Sequence, residues 1–212
     1  MAAPDSRTRL LEATLDVVRA KGYTAARVED ICSAAGVTKG SFFHHFASKD
    51  ELALAAAALW NERAHALFTS APYNAAQDPL ERLLGYLAFR KAMLAGELGE
   101  FTCYAGTVIQ EAYVTHPDLR DACEAGIVRH TAWLGEIIDA AMRTHGMTGP
   151  WSALSLARHI LAVLQGGFIL AKGEGSGAVA ADSVDHLIRY VELLFGTAKR
   201  AVRSAPAARS SK

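Results

Sequence analysis

Residues 28–46 read VEDICSAAGVTKGSFFHHF, and this stretch decides the fold. Its first apolar residues recur at the i, i+3, i+4, i+7 spacing of a short amphipathic helix, at Val28, Ile31, Cys32 and Ala35. Gly36 is suited to end that helix, and Thr38 is a good N-cap for a second helix that reaches Phe46. Two short helices joined by a glycine-containing turn form a helix-turn-helix. The alternative interpretation is a packing hairpin in an all-helical protein.

The second helix of this unit has the chemistry that DNA requires. No acidic residue occurs between Ile31 and Lys49, whereas Lys39, Lys49 and two adjacent histidines supply positive or hydrogen-bond-donating groups. Gly40 and Ser41 are small, so the helix can approach a duplex closely. In such units the N-terminal residues of the second helix meet base edges in the major groove. Spacing alone leaves the DNA-binding and packing interpretations both open.

Outward from this unit, the rest of the chain is helical by pattern, and no convincing alternating strand occurs in it. Ser48 is an N-cap, and Pro79, Pro117 and Pro150 each predict a helix start. We interpret residues 101–114 as one helix, 173–177 as a flexible turn and 182–202 as the last helix. These segments predict an all-α protein of about nine helices.

Residues 35–46 and the following SKDEL at 48–52 resemble the helix-turn-helix signature of the TetR-like transcriptional regulators. That signature reads A-G-V-[ST]-x-G-[ST]-[LFI]-Y-x-[HY]-F, followed by x-x-K-x-x-L. The resemblance implies an all-α homodimer whose first three helices bind DNA and whose last two form a four-helix interface. It also implies a pocket for a small-molecule inducer in the larger domain. We therefore expect a DNA-binding domain at 1–50, a ligand-binding and dimerisation domain at 51–203, and a disordered basic tail at 204–212.

Nine residues are candidates for DNA contacts, by their position in the signature or by their chemistry. They are Arg27, Thr38, Lys39, Gly40, Ser41, Phe43, His44, His45 and Lys49. Phe43 stands where the family often has a phosphate-binding tyrosine, but its ring can contact a thymine methyl instead. Ala26-Arg27 stand where the family usually has a capping Thr or Ser, and Arg27 can replace that phosphate contact.

Aromatic residues concentrate between Tyr86 and Phe168, which favours a mostly apolar ligand cavity with a few polar groups. The candidate ligand-binding residues are Phe89, Met93, Phe101, Cys103, Tyr104, Gln110, Tyr113, Trp133 and Phe168. The alternative for each of them is an ordinary core position.

The pair Gly166-Gly167 lies within an apolar helical segment, where each glycine costs roughly 1 kcal/mol relative to alanine. Close approach of another helix is a reasonable cause. We predict a dimer interface formed by Leu161, Leu164, Gly167, Leu187, Val191 and Leu194. The alternative is that these residues form an intramolecular core.

Cys103 is a candidate sensing thiol because it lies near a predicted helix start, where backbone amides favour a thiolate. Some TetR-like regulators with a cysteine in a similar place respond to electrophiles or oxidants, and the resemblance implies the same here. The alternative is a plain wall of the ligand pocket, because cysteine is commonly buried and Glu100 opposes ionisation.

The composition excludes several classes of protein. There are 22 basic and 22 acidic residues, so the net charge of zero excludes a wholly basic nucleic-acid coat and a polybasic membrane binder. Hydrophobic residues make up 51% of the chain, which excludes wholesale disorder. Three cysteines without a C-x-x-C, no signal-peptide h-region and short apolar runs predict a cytoplasmic protein with reduced thiols and no membrane partner.

Together these features predict a ligand-released repressor that binds a palindromic double-stranded operator as a homodimer, with an apolar or electrophilic inducer. One alternative is a helical-bundle enzyme, but the chain has no H-E-x-x-H, G-x-S-x-G or Gly-rich phosphate loop. The other is a ligand-binding helical protein that does not bind DNA, which leaves 38–49 without a purpose. We expect no metal and no cofactor.

Overall fold

The computed structural model describes residues 5–197, which form ten α-helices and two short 3-10 turns. The α-helices are α1 Ser6–Lys21, α2 Val28–Ala35, α3 Lys39–His45, α4 Lys49–Ser70, α5 Pro79–Ala92, α6 Leu98–Phe101, α7 Tyr104–Ala112, α8 Pro117–Thr144, α9 Ala153–Glu174 and α10 Ala178–Leu194. The 3-10 turns lie at Pro72–Ala75 and Met93–Ala95. Residues 5–197 contain no strand, and the predicted all-α class is confirmed.

The helix predicted at 101–114 is the shorter helix α7, and the short helix α6 precedes it, which explains why residues 5–197 contain ten helices rather than nine. The Sγ atom of Cys103 accepts the backbone N–H of Gly106 at 3.3 Å, so Cys103 caps a new helix start. The short helix α6 ends at Phe101 before this cap. The prediction was wrong because apolar periodicity continues across the break.

Three other predicted bounds near the C-terminus also shift. Helix α9 begins after Ser152, whose Oγ accepts the Ser155 N–H at 3.1 Å, and not at Pro150. Helix α9 continues through Glu174, so the flexible turn shrinks to 175–177. Helix α10 begins at Ala178 rather than Asp182, and it ends at Leu194, before Gly196 with φ of 69°. The predicted tail at 204–212 lies outside the described residues.

The helix-turn-helix shares its hydrophobic core with the larger part of the chain. Side chains from α1, α2, α3 and the first half of α4 form one cluster that also includes Tyr104 and Val108 of α7 and Cys123 of α8. The predicted boundary at residue 50 falls inside this cluster, next to the start of α4. Changes in α7 can therefore reach the DNA-binding helices through direct packing.

A second cluster is formed by α5, α8, α9 and α10, where α9 packs between α8 and α10. By length and composition alone, α9 is long and apolar enough to cross a membrane, and it is the one such helix within residues 5–197. The sequence had predicted that its apolar runs are too short for this. Its apolar side chains Ile160, Leu164 and Phe168 are buried in this second cluster. Packing inside the bundle therefore accounts for the apolar composition of α9.

Candidate DNA-binding surface and ligand cavity

The turn between α2 and α3 fixes the candidate recognition helix, α3. Gly36 adopts φ of 62°, a left-handed conformation that favours glycine. The Oγ1 atom of Thr38 accepts the Ser41 N–H at 3.1 Å and caps α3. Phe42 and Phe46 are buried beneath the helix. These contacts hold α3 with one face on the domain and the other in solvent.

The outward side of α3 carries most of the predicted DNA-contacting residues. Thr38, Lys39, Gly40, Phe43 and His44 are exposed, and the Phe43 side chain is 59% exposed although it is large and apolar. Ser41 and His45 are half-buried, and Arg27 is exposed at the start of α2. An exposed phenylalanine beside polar side chains is suited to apolar contact with a thymine methyl.

Arg27 does not need to cap α2, although it stands in the position of the family's usual Thr or Ser. The Asp30 Oδ2 atom accepts the backbone N–H of Arg27 at 3.1 Å, so the helix start is stabilised from within the helix. The guanidinium of Arg27 is therefore available for a phosphate.

An acidic residue that the sequence analysis did not consider lies next to the candidate recognition helix. The ammonium of Lys39 forms an ion pair with the Glu29 carboxylate of α2, and both side chains are more than half exposed. The same pair lowers the pKa of Glu29, mainly through the hydrogen bond from Lys39. Lys39 must exchange Glu29 for DNA when the protein binds.

Lys49, which is predicted to contact a phosphate, is bound within the DNA-binding domain. Its Nζ atom donates to the backbone oxygens of Tyr23 at 3.0 Å and Ala26 at 3.2 Å, and it lies 4.3 Å from the centroid of the Tyr23 ring. Two carbonyls and an aromatic face thus occupy the ammonium. Lys49 positions the loop between α1 and α2, and through it Arg27.

Two polar contacts connect this loop and α4 to the helices of the larger domain. The Thr24 N–H donates to Glu111 Oε2 of α7 at 2.7 Å. The Tyr23 hydroxyl donates to the Asp50 carboxylate, which also lies 3.7 Å from His116 Nε2. Burial and the Asp50 carboxylate raise the pKa of Tyr23, so this hydroxyl keeps its proton. Sequence reasoning had not connected any of these residues.

A cavity of about 480 Å³ lies between the two clusters, within the usual size range of small-molecule sites. It is lined by residues of α1, α4, α5, α6, α7, α8 and α9, including Trp60, Phe68, Met93, Phe101, Cys103, His130, Gln165 and Phe168. A smaller cavity of about 240 Å³ lies beside it, and Cys103, Gln165 and Phe168 line both. Cys103 therefore lies between the two spaces.

The N-terminal segment identifies the family of the DNA-binding domain. Residues 10–56 match the model of the bacterial regulatory proteins of the tetR family. The fold over 87% of the chain is similar to a TetR-family regulator from Agrobacterium tumefaciens, at a TM-score of 0.78 and 19% identity over 96% of that chain. The DNA-binding segment 10–56 of this chain is therefore similar to that of the tetR family.

Two further relatives of this chain are transcriptional regulators. The chain is 45% identical over 53 residues to the HTH-type transcriptional regulator CymR of Pseudomonas putida, covering 25% of this chain and 26% of CymR. It is 32% identical over 111 residues to the transcriptional regulator AcuR of Cereibacter sphaeroides, covering 46% of this chain and 51% of AcuR. The matches thus span about half or less of these relatives.

The fold is also similar to that of Escherichia coli NemR in its reduced form. The TM-score is 0.73 and the sequence identity 22%, over 88% of this regulator and 97% of NemR.

Five of the nine predicted ligand-binding residues line the two cavities of this chain. Met93 and Phe101 line the larger cavity, Gln110 lines the smaller one, and Cys103 and Phe168 line both. The smaller cavity also brings Lys172 of α9 near Cys103, whereas no lysine is close to Cys103 in sequence. Burial lowers the pKa of Lys172, and Glu111 and Cys103 act in the opposite direction.

The other four predicted ligand-binding residues do not line these cavities. Tyr104 is fully buried in the first cluster and donates to the Ala53 oxygen at 3.0 Å. Tyr113 is 57% exposed on the surface. Phe89 and Trp133 pack on the second cluster, with Trp133 against Tyr86. Helix rotation turns these rings away from the cavity, and aromatic content alone does not reveal rotation.

Two polar residues of the larger cavity are not among the predicted ligand-binding residues, although the sequence contains a signal for both. Arg90 follows Leu83, Tyr86 and Leu87 at the i+7 position of a core-facing stripe. His130 occupies the equivalent place in α8, where it follows Cys123 at i+7. A charged or polar residue at a core-facing position is the signal that predicts a site.

Most of the predicted dimer residues are buried inside the helical bundle of a single chain. Leu164, Gly167, Leu187 and Val191 are buried in the second cluster, Leu161 lines the larger cavity, and Leu194 packs on the second cluster. A Cβ atom at Gly167 would lie 3.3 Å from the Cα atom of Ala180, so this glycine permits close approach of α9 and α10 within one chain. These positions correct the prediction, because the close helix approach is intramolecular.

Proposed function

We propose that this regulator represses transcription by binding a palindromic operator as a homodimer, and that a small molecule in the larger cavity releases it. The observation that carries the proposal is the outward face of α3, which is exposed, contains no acid and is held by a left-handed turn and a capped start. The DNA contacts we propose are made by Arg27, Thr38, Lys39, Gly40, Ser41, Phe43, His44 and His45. Such a helix reads base edges with its N-terminal residues.

The partner subunit, in this proposal, covers the outer faces of α9 and α10. Ile169 and Leu170 of α9 and Tyr190 and Leu193 of α10 are large apolar side chains that are exposed in a single chain. The α9 glycines Gly166 and Gly173 have open space where a Cβ would stand. Small residues beside exposed apolar side chains allow two helix pairs to pack closely.

Helix α7 connects the cavities to the DNA-binding domain. It begins at the Cys103 cap between the two cavities, carries Gln110 at the smaller cavity, and holds the Thr24 amide through Glu111. A ligand that favours another position of α7 therefore changes the position of the α1–α2 loop. Operator affinity falls because the two recognition helices must lie about 34–36 Å apart, or a multiple of this, to enter successive major grooves.

Cys103 adds a covalent route to the same switch. Its thiol lines both cavities, accepts the Gly106 N–H, and has the Lys172 ammonium in the smaller cavity with it. We propose that it adds to an α,β-unsaturated aldehyde: the sulfur–carbon bond forms at the β-carbon and the thiol proton ends on the α-carbon. Cys123 is a poorer candidate, because burial raises the pKa of its thiol to about 12.

The domain division at residue 50 and the cytoplasmic location stay part of this proposal. Residues 1–50 supply the recognition helix, and residues 51–203 supply most of the cavity wall together with the partner surface. The cytoplasm is the location we propose, because a protein of this kind acts on DNA.

A gel-shift with the DNA upstream of the regulator's own gene tests the proposed function. We expect a shifted band at nanomolar protein in moderate salt, since specific complexes have dissociation constants of about 10⁻⁸–10⁻¹¹ M. Lys39→Ala should weaken it, and Arg143→Ala, on the far side of α8, should not. A protein that binds this DNA no better than random DNA would not support an operator there.

Crotonaldehyde tests the covalent route. We expect it to release wild-type protein from DNA and to add one aldehyde mass, and neither result is expected for Cys103→Ser. Equal release of both proteins would assign the thiol to packing.

A further inference from the structure

Arg90 is a charged residue on the wall of the larger cavity, and the chain itself does not neutralise it. Its guanidinium carbon lies 4.9 Å from the centroid of the Phe68 ring and 5.8 Å from that of Phe168. Among residues 5–197, no carboxylate or other hydrogen-bond acceptor contacts this guanidinium, which carries five N–H donors. Stacking between aromatic rings orients the group but leaves its donors free.

The other charged groups that line the cavity already have partners. Four arginines and three carboxylates line it, so the wall carries one surplus positive charge. Arg63 pairs with Glu12 at 2.7 Å, and Arg19 pairs with Asp16 at 2.6 Å.

The remaining two groups are bound to backbone. Glu100 Oε2 accepts the Glu97 N–H at 3.0 Å, and Arg129 donates to the Asn61 oxygen. Neither Arg129 nor Arg90 has a carboxylate partner, but Arg129 has a hydrogen-bond acceptor and Arg90 has none within residues 5–197.

His130 places a neutral hydrogen-bond donor on the same wall. Burial lowers its pKa to about 3, and the charges of Arg90 and His65 act in the same direction. The Tyr86 hydroxyl lies 2.9 Å from His130 Nε2 and has no other acceptor in the described range, so Tyr86 donates to Nε2. Burial raises the pKa of Tyr86, so this hydroxyl keeps its proton. The imidazole proton of His130 is thereby assigned to Nδ1, for which residues 5–197 supply no acceptor.

We infer that the larger cavity binds a monoanionic carboxylic acid with an apolar body, whose carboxylate is held by Arg90 and His130. A carboxylate matches the two-donor geometry of a guanidinium, and one unpaired guanidinium balances one negative charge. Phe101, Met93 and Leu161 supply apolar wall for the body of such an acid. A cation is disfavoured because the unpaired charge on this wall is itself positive. The inference rests on the proposed function, in which this cavity is the inducer site.

Binding of matched acids and amides to the full chain tests the inference. The probes are 3-phenylpropanoate and octanoate, each compared with its primary amide by isothermal titration calorimetry. We expect the acids to bind roughly 10- to 100-fold more tightly than the amides, because a hydrogen-bonded charge pair is replaced by a neutral contact. Arg90→Gln should remove this preference, and Arg90→Lys should keep part of it.

Arg143→Gln is the control, because Arg143 is an exposed arginine of α8 that does not line the cavity. It should bind both acids as the wild type does. The inference is overturned if amides bind as well as acids, if Arg90→Gln keeps the preference, or if neither acid binds. A gel-shift of the unliganded proteins separates the two proposals, since loss of DNA binding by the wild type contradicts the proposed function and leaves the calorimetric result unaffected.

Discussion

At the scale of single residues, two lysines of the DNA-binding domain have different tasks. Lys39 is exposed on α3 and pairs with Glu29, whereas Lys49 is bound to the backbone oxygens of Tyr23 and Ala26. The sequence assigned both to DNA because their spacing matches the signature. The two lysines differ in the direction of their side chains: that of Lys39 lies on the surface of α3, and that of Lys49 points to the backbone of the α1–α2 loop.

Lys39→Ala should weaken operator binding without changing the free energy of unfolding. A lost phosphate contact lowers the salt dependence of log K by about one unit, whereas a lost base contact costs on the order of 1–3 kcal/mol in discrimination. Glu29→Gln should increase affinity, because the competing carboxylate is removed. Fluorescence anisotropy at several salt concentrations measures both, and unchanged binding by both variants would exclude α3 as the recognition helix.

Lys49→Ala should lower the free energy of unfolding by roughly 1–3 kcal/mol, because two carbonyls lose a charged donor. Operator affinity should also fall, but with the wild-type salt slope, since no phosphate contact is lost. Urea unfolding and anisotropy make the comparison. A reduced salt slope of operator binding with an unchanged free energy of unfolding would instead support the phosphate contact predicted from the sequence.

Acid should destabilise the regulator through His130. Its pKa is about 3 in the folded chain and 6.5 when unperturbed, so the unfolded state binds more protons between these values. The stabilisation is present above pH 6.5 and is lost as the pH falls toward 3, at no more than about 1.4 kcal/mol per pH unit. In thermal melts, His130→Gln should lose less stability than the wild type as the pH falls. His44→Gln, a change at an exposed histidine, is the control and should behave as the wild type does. If His130→Gln loses as much stability in acid as the wild type, another group causes the acid sensitivity.

At the scale of elements, α7 is the helix that touches both sites. It is short, begins at a cysteine cap in the cavity wall and ends one residue after Glu111, which holds the Thr24 amide. Contacts to two different parts of the protein thus hold the two ends of α7.

Glu111→Ala should free the α1–α2 loop. The Thr24 amide loses a charged acceptor, so hydrogen exchange in the segment 22–27 should become roughly tenfold faster. Glu124→Ala, an exposed acid on α8, is the control and should exchange as the wild type does. Equal protection in both variants would mean that other contacts, such as Asp50 with Tyr23, fix the loop alone.

At the scale of the whole molecule, the question is which side of α10 meets a second subunit. Val191 is fully buried against the subunit's own bundle, whereas Leu193, two residues later, is 68% exposed. A partner can cover only the outer side.

Leu193→Glu should therefore give folded monomers with weak operator binding, since two tethered half-site contacts are needed for useful affinity. Val191→Glu should instead unfold the chain, because it buries an unpaired charge at a cost of several kcal/mol. Light scattering and circular dichroism separate these outcomes. A dimer that persists in Leu193→Glu would place the interface away from this face.

The sequence by itself determined the all-α class, the helix-turn-helix and the caps at Thr38 and Ser48. These features depend on residues within about one helical turn of one another, so local periodicity and capping chemistry are sufficient to predict them. The resemblance to the family signature made Phe43 and His44 candidates for DNA contact, and both are exposed on α3.

Only the tertiary structure decided which residues face the cavity, the solvent or another helix. Lys172 approaches Cys103, and Arg90 lies between Phe68 and Phe168, although these residues are distant in sequence. Gly167 and Val191 face inward because α9 and α10 rotate their apolar stripes toward α5 and α8. An apolar stripe on a helix predicts that this face is buried, but the packing of the whole bundle decides which element covers it.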